Sequence, residues 1–169
     1  MIRLLLADDH AIVRSGLAQI FSLLPDIEVL GEARNGAELL AALRQHSALD
    51  LILLDLNMEG VSGADLIARI KAQRPGLPIL VLSMHNEPQA ATRMLRAGAN
   101  GYITKDCNPD VLLVAMRRVA AGGKYIVPAL AEKMGSMSTP TRSSRCTACS
   151  RTANARCCAC SPGAWGSRK

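Results

Sequence analysis

The sequence has no run of the roughly 18 to 20 apolar residues that a bilayer-crossing helix needs, and it starts on a strand-like stretch instead of a basic, then apolar, signal segment. A soluble, cytoplasmic chain without membrane contact is therefore expected. Other shortages are local. Residues 123–169 hold one acidic side chain against eight basic ones, whereas residues 1–122 hold 13 acidic and 12 basic, so the net charge of +6 belongs to the C-terminal part alone. From Ser136 to Lys169 there is no Leu, Ile, Val or Phe, and such a stretch cannot bury a core. Cysteine is almost missing from the first part, where Cys107 stands alone, while Cys146, Cys149, Cys157, Cys158 and Cys160 crowd the second. With 169 residues in all, one ordinary domain plus an appendage is the expectation.

What the first part does contain is an alternation of strand and helix patterns. Ile2 to Ala7 is a short apolar run broken only by Arg3, which suits a buried strand, and Asp8 and Asp9 end it. Between Ala11 and Leu24, Ile12, Val13, Leu17, Ile20, Phe21 and Leu24 recur at helical spacing until Pro25. A strand over Ile27 to Ala33 follows, then a helix capped by Asn35 that stops near Ser47. Leu51 to Leu54 is a third strand ending on Asp55, and Leu66, Ile67 and Ile70 mark a helix beyond the Gly60 and Gly63 loop. Ile79 to Leu82, a helix from about Pro88 to Ala97, a short strand at Tyr102 and Ile103, and a helix from Pro109 to Ala121 complete the set. Five such pairs imply a parallel sheet with helices on both faces and right-handed crossovers.

In sheets of this kind ligands sit at the carboxyl ends of the strands, where this sequence places Asp8, Asp9, Asp55, Ser83 and Lys105. Three carboxylates in one crevice repel one another unless a cation is present, and a hard, oxygen-liganded ion such as Mg²⁺ fits them. A carboxylate can act as nucleophile towards a phosphoryl group while a lysine and a metal ion stabilise the charge on the transferring oxygens. Ser83 would hydrogen-bond the phosphate once acquired. His10 and His85 sit beside the crevice; cap and loop roles suit them, because an oxygen-rich Mg²⁺ site needs no imidazole.

Leu-Ala-Asp-Asp-His at 6–10, Leu-Asp-Leu-Asn-Met at 54–58, Leu-Ser-Met-His at 82–85 and Gly-Tyr-Ile-Thr-Lys-Asp at 101–106 resemble the receiver domain of NarL/FixJ-type, or LuxR-type, response regulators of two-component systems. The resemblance spans the whole first part. It implies a flavodoxin-like (βα)5 receiver over residues 1–122, with a five-stranded parallel sheet of order 2-1-3-4-5. It also implies Asp55 as phosphoacceptor, and Asp9 as direct and Asp8 as indirect Mg²⁺ ligand. The backbone carbonyl of Asn57 becomes a further ligand, with Lys105 as the phosphate-binding lysine and Ser83 as the switch hydroxyl. Tyr102 falls where receivers place an aromatic ring that turns inward when that hydroxyl moves towards the phosphate. Asp106 is a departure, since many receivers have proline there.

The implied activity is acceptance of a phosphoryl group from a sensor histidine kinase, with slow self-hydrolysis, and not enzymatic turnover. Homodimerisation through the receiver is an open possibility, as is a stand-alone receiver working by protein contacts. A phosphatase with an aspartyl nucleophile would want a second acid two residues after Asp55, where Asn57 stands. A dinucleotide-binding enzyme would want Gly-x-Gly-x-x-Gly after the first strand, and that is absent.

Receivers of this subfamily are usually followed by a linker and a DNA-reading helix-turn-helix domain, so control of transcription is the implied output. Here residues 123–140 read as a linker and 141–169 as a disordered Cys-, Arg- and Ser-rich tail. A zinc site would use the Cys146 and Cys149 pair with Cys158 and Cys160, but no second CxxC and no nearby His support it. Loose, salt-sensitive nucleic-acid contact by the basic tail is a further reading. The genetic code offers another. In a shifted frame the Cys157–Cys158 overlap reads TTG or CTG, both leucine, and Trp165–Gly166 forces a glycine codon. From Ser150 onward the overlaps permit Thr-Asp-Arg-Glu-Arg-Glu-Val-Leu-Arg-Leu-Leu-Ala-Arg-Gly-Leu-Gly. That string resembles the opening of a LuxR-type helix-turn-helix domain, with the frame changing between about Met134 and Cys149. DNA is a partner only with an intact output domain.

Overall fold

The computed structural model describes residues 1–58, 63–84 and 87–127. Strand and helix alternate throughout them: β1 (Ile2–Ala7), α1 (Ala11–Ser22), β2 (Ile27–Ala33), α2 (Gly36–Gln45), β3 (Leu51–Asp55), α3 (Gly63–Gln73), β4 (Ile79–Ser83), α4 (Pro88–Ala97), β5 (Gly101–Thr104), α5 (Pro109–Ala120) and β6 (Tyr125–Ile126). Among the described residues no helix is long and apolar enough to cross a membrane.

All strand pairs are parallel, and the order is β2-β1-β3-β4-β5-β6. The expected order of the first five strands holds; the expected number does not, because a sixth strand joins the edge. β6 pairs Gly101 with Tyr125 and Tyr102 with Ile126, within the stretch read as linker from its sequence. Two residues are too short to give a strand pattern, but Gly101 explains how they dock. A side chain on Gly101 would put its Cβ 2.9 Å from the Tyr125 carbonyl and 2.8 Å from Leu80 Cδ1, so only glycine leaves room for the neighbouring backbone.

Successive strand residues face opposite sides of the sheet, and each side buries its own core. Leu5, Ala7, Ile52, Leu54, Ile79, Val81 and Tyr102 pack under α2, α3 and α4 through Leu39, Leu43, Leu66, Ile67, Ile70, Ala91 and Met94. Leu4, Leu6, Leu51, Leu53, Leu80, Leu82 and Ile103 pack under α1 and α5 through Phe21, Leu112, Ala115, Met116 and Val119. Burial on both faces explains why the strands read as unbroken apolar runs. Each fully buried leucine or isoleucine contributes about 1.5 to 3 kcal/mol. The helix ends follow local chemistry: Asn35 caps α2 by accepting from the Glu38 amide at 2.9 Å, Glu38 reaches back to the Arg34 amide at 2.8 Å, and Gly98 ends α4 at φ +114°.

The expectations that rest on residues 128–169 lie outside the described residues. These are most of the linker, the disordered tail, the cysteine zinc site and the shifted frame. Gly60 and His85 lie outside them as well.

Candidate functional site

Register lines up the polar residues along one edge of the sheet. Ala7 is level with Leu54, Asp55 with Leu82 and Ser83 with Thr104, so Asp8, Asp55, Ser83 and Lys105 follow one another where four neighbouring strands end. Asp8, Arg14, Asp55 and Ser83 are the polar or charged side chains buried among the described residues. Charges are costly there unless paired, and the pairing is compact. Lys105 Nζ donates to Asp8 Oδ2 at 2.8 Å and to Asp55 Oδ2 at 2.7 Å, with its side chain only 8% exposed. Burial pulls the Lys105 ammonium down, but its bonds to Asp55 and Asp8 outweigh that and hold it above the ordinary lysine value.

Backbone amides hold the outer oxygens of these acids. His10 N–H donates to Asp8 Oδ1 at 2.8 Å, and Asn57 N–H donates to Asp55 Oδ1 at 3.3 Å. Asp9 is held differently. His10 Nδ1 comes within 2.6 Å of Asp9 Oδ1, 3.5 Å of Asp8 Oδ1 and 3.8 Å of Asp55 Oδ2. Yet the Asp9 oxygen is buried and accepts no aligned hydrogen bond from any of the described residues.

Asp8, Asp9, His10 and Asp55 thus offer ligand atoms that all lie within 4.8 Å of one another. Three carboxylates, one with a buried oxygen that accepts no aligned hydrogen bond, fit a hard divalent cation such as Mg²⁺ better than they fit one another's company. The chemistry available to such a set is phosphoryl transfer: a nucleophilic carboxylate, a cation beside it, and room for a metal to neutralise incoming oxygens.

Tyr102 lies on β5 with no exposed surface, its ring already inside. Burial raises its phenol above the ordinary tyrosine value, against a side-chain hydrogen bond with Ser83 that lowers it. Asp8, Asp9, Asp55, Ser83, Tyr102 and Lys105, expected together from the sequence, are gathered at this edge. Asn57 joins them through its amide, which contacts Asp55.

Two residues carry more than their sequence suggested. His10 occupies the N-cap position of α1 without a side-chain cap bond, its ring turned to the carboxylates instead. Arg14 was unmarked in the sequence, although a signal existed: it shares the buried face of α1 with Phe21, three and seven residues before Leu17 and Phe21 in an apolar stripe. Its Nη1 donates to the Asp8 carbonyl at 2.9 Å and its Nε to Glu32 Oε2 at 2.9 Å.

Comparison with known proteins agrees with this geometry. Residues 4–117 match the response regulator receiver domain. The transcriptional regulatory protein UhpA of Salmonella typhimurium is 40% identical over 134 residues, a match covering 79% of this chain and 66% of that protein. The nitrate/nitrite response regulator NarL of Escherichia coli is 39% identical over 127 residues, covering 75% and 58%. The chain thus spans about two thirds of the first relative and less of the second. Among solved structures, a LuxR-family two-component response regulator from Aurantimonas is 30% identical with a TM-score of 0.75, covering 79% of this chain and 95% of that one.

Proposed function

This chain belongs to the response regulator receiver family, and on that premise we propose that Asp55 accepts the phosphoryl group of a two-component system from a sensor histidine kinase. The observation that carries the proposal is the setting of the Asp55 carboxylate. It is buried at the carboxyl end of β3, 2.7 Å from the Lys105 ammonium, beside Asp8 and a buried Asp9 oxygen that lies near His10 without an aligned hydrogen bond.

In the transfer, an Asp55 carboxylate oxygen attacks phosphorus. An O–P bond forms, the N–P bond to the donor histidine breaks, and the imidazole keeps the electron pair and takes up a proton. Lys105 already reaches Asp55 and stays in place to face the added negative charge. When bound, Mg²⁺ supplies neutralisation of the acidic cluster and of the transferring oxygens. Asp9, Asp55 and the Asn57 backbone carbonyl would hold it directly, and Asp8 indirectly. The Ser83 hydroxyl then turns to a phosphoryl oxygen and gives up its bond with Tyr102, which makes the Ser83–Tyr102 pair the switch.

Residues 1–122 constitute the receiver in this reading, 123–140 the connection, whose Tyr125 and Ile126 extend the sheet, and 141–169 the tail. UhpA is a transcriptional regulator by name, and the corresponding role for this chain, like receiver pairing and DNA contact through an output domain, belongs to the proposal. The test is intact-mass analysis after incubation with a small phosphodonor and Mg²⁺. One phosphoryl group per chain is expected, lost in Asp55→Ala; repeated turnover of phosphomonoesters would favour an aspartyl phosphatase instead.

A further inference from the structure

The peptide that joins Asp8 to Asp9 is fixed from both sides. The Asp8 amide donates to the Ala33 carbonyl of β2 at 3.1 Å, which continues the β1–β2 ladder one step past Ala7. The Asp8 carbonyl lies beyond the last strand pair, and there the Arg14 guanidinium takes the place of a neighbouring strand, donating from Nη1 at 2.9 Å. Arg14 is itself fixed, since Nε donates to Glu32 on β2 and its own amide donates to the His10 carbonyl at 3.0 Å, opening α1. One residue therefore brackets the turn Asp8–Asp9–His10 with its backbone and its side chain together.

A guanidinium only 10% exposed, set in the apolar stripe of a helix, is an expensive way to fasten α1 to β2. Its geometry is better explained by what the bracketed peptide controls. The plane of the Asp8–Asp9 peptide sets the direction in which the Asp9 side chain leaves the backbone, and Asp9 carries the one buried carboxylate oxygen found without an aligned hydrogen bond among the described residues, its near neighbour being His10 Nδ1 at 2.6 Å. We infer that Arg14 is a positioning residue for the acidic cluster: by holding the Asp8 carbonyl it aims the Asp9 carboxylate at the divalent cation. The inference rests on the proposed Mg²⁺-dependent phosphoacceptor, and Arg14 touches neither the cation nor the phosphoryl group.

The test measures Mg²⁺ binding by isothermal titration calorimetry on the full chain, beside thermal melting and phosphoryl labelling. Arg14→Met and Arg14→Gln both lose the long donor to the Asp8 carbonyl, and each is expected to weaken Mg²⁺ binding roughly 10- to 100-fold, the range for residues that orient metal ligands. Labelling should recover at saturating Mg²⁺. Arg14→Lys keeps a donor of sufficient reach and should retain most of the affinity. A folded Arg14→Met or Arg14→Gln that binds Mg²⁺ like the wild type, with only its melting temperature lowered, overturns the inference and leaves a purely structural tie. So does Arg14→Lys restoring the melting temperature but not the affinity. A wild-type chain that neither binds Mg²⁺ nor takes up phosphate overturns the proposed function, and this inference with it.

Discussion

The two edges of the sheet treat charge in opposite ways. At the amino edge Arg3 meets Asp50 in a two-pronged pair, Nε to Oδ2 at 2.9 Å and Nη2 to Oδ1 at 3.0 Å, while the Arg3 amide donates to Asp50 Oδ2 at 3.0 Å and the Asp50 amide to the Arg3 carbonyl at 2.9 Å. Lys71 bonds the Leu77 carbonyl and Asn100 Oδ1, and Arg74 bonds the carbonyls of Ser47 and Leu43, so cations there are spent on fastening loops and helix ends. At the carboxyl edge two of three gathered carboxylates share one lysine, the third has a buried oxygen beside His10 without an aligned hydrogen bond, and the helix arginine nearby divides itself between Glu32 and a backbone carbonyl instead of reaching the cluster's own carboxylates. A negative surplus in a buried place weakens a fold, and such arrangements gather at functional sites, which is what the proposed cation and phosphoryl site requires. The amino edge is built for stability, the carboxyl edge against it.

The sharpest way to break this contrast is to remove the lysine. Lys105→Met leaves Asp8 and Asp55 buried without their cation, and the expected loss is up to about 3 kcal/mol, limited because one carboxyl can take a proton. Urea unfolding without metal measures it, and added Mg²⁺ should restore part of the loss. A variant as stable as wild type in chelator would show that the surplus charge is not felt. Metal itself is the next lever. At a hundredfold excess over its dissociation constant Mg²⁺ should stabilise the wild type by about 2.7 kcal/mol, seen as a rise in melting temperature that chelator reverses. Asp9→Asn should abolish that rise and Asp50→Asn should leave it intact. An equal Mg²⁺ response in both variants would mean that the cation does not distinguish the two edges.

Smaller, and internal to the carboxyl edge, is the Ser83–Tyr102 bond. Tyr102→Phe keeps the ring in its fully buried place and removes only the hydroxyl, which should cost about 0.5 to 1.5 kcal/mol in the unphosphorylated chain. Phosphorylated, with Ser83 turned to phosphate, the wild type has given up that bond. The stability gap between the variant and wild type should then shrink, and a gap that phosphorylation leaves unchanged would sink the switch.

How much of this was legible in the sequence follows from the same physics. Strands buried on both faces announce themselves as apolar runs, and a parallel sheet puts the residues after those runs on one edge, so Asp8, Asp9, Asp55, Ser83 and Lys105 could be gathered without coordinates. β6 could not, because two residues make no pattern and Gly101 signals close approach without saying to what. The placement of Arg14 stayed hidden because one of its partners, the Asp8 carbonyl, is backbone, which no side-chain identity betrays, and the other, Glu32, lies 18 residues away on β2. His10 was read as a cap by its position, which is correct for its backbone but misses the turn of its ring towards Asp9.

The least effect is expected at the amino edge, and its pH dependence checks the comparison from the other side. Hydrogen bonding from Arg3, opposed by burial, holds the Asp50 carboxyl below the ordinary carboxylate value. With the folded value lower than the unfolded one, the stabilisation is fully present above the unfolded value near 3.8 and is lost as pH falls through the lowered folded value. The Asp50 side chain is one third exposed, so solvent screening keeps this contribution below about 1 kcal/mol. Acid unfolding of wild type and Asp50→Asn should therefore differ slightly at neutral pH and converge as Asp50 is protonated. Lys105 shifts the opposite way, held above its ordinary value, so its stabilisation persists through neutral pH and fails only as pH rises through that elevated value. If the charges at the two edges were equivalent, Asp50→Asn would shift the acid limb as far as Lys105→Met shifts the alkaline one. The exposed pair should move its limb by the smaller amount, because water already does most of what Arg3 does for Asp50 and nothing comparable does it for Asp55.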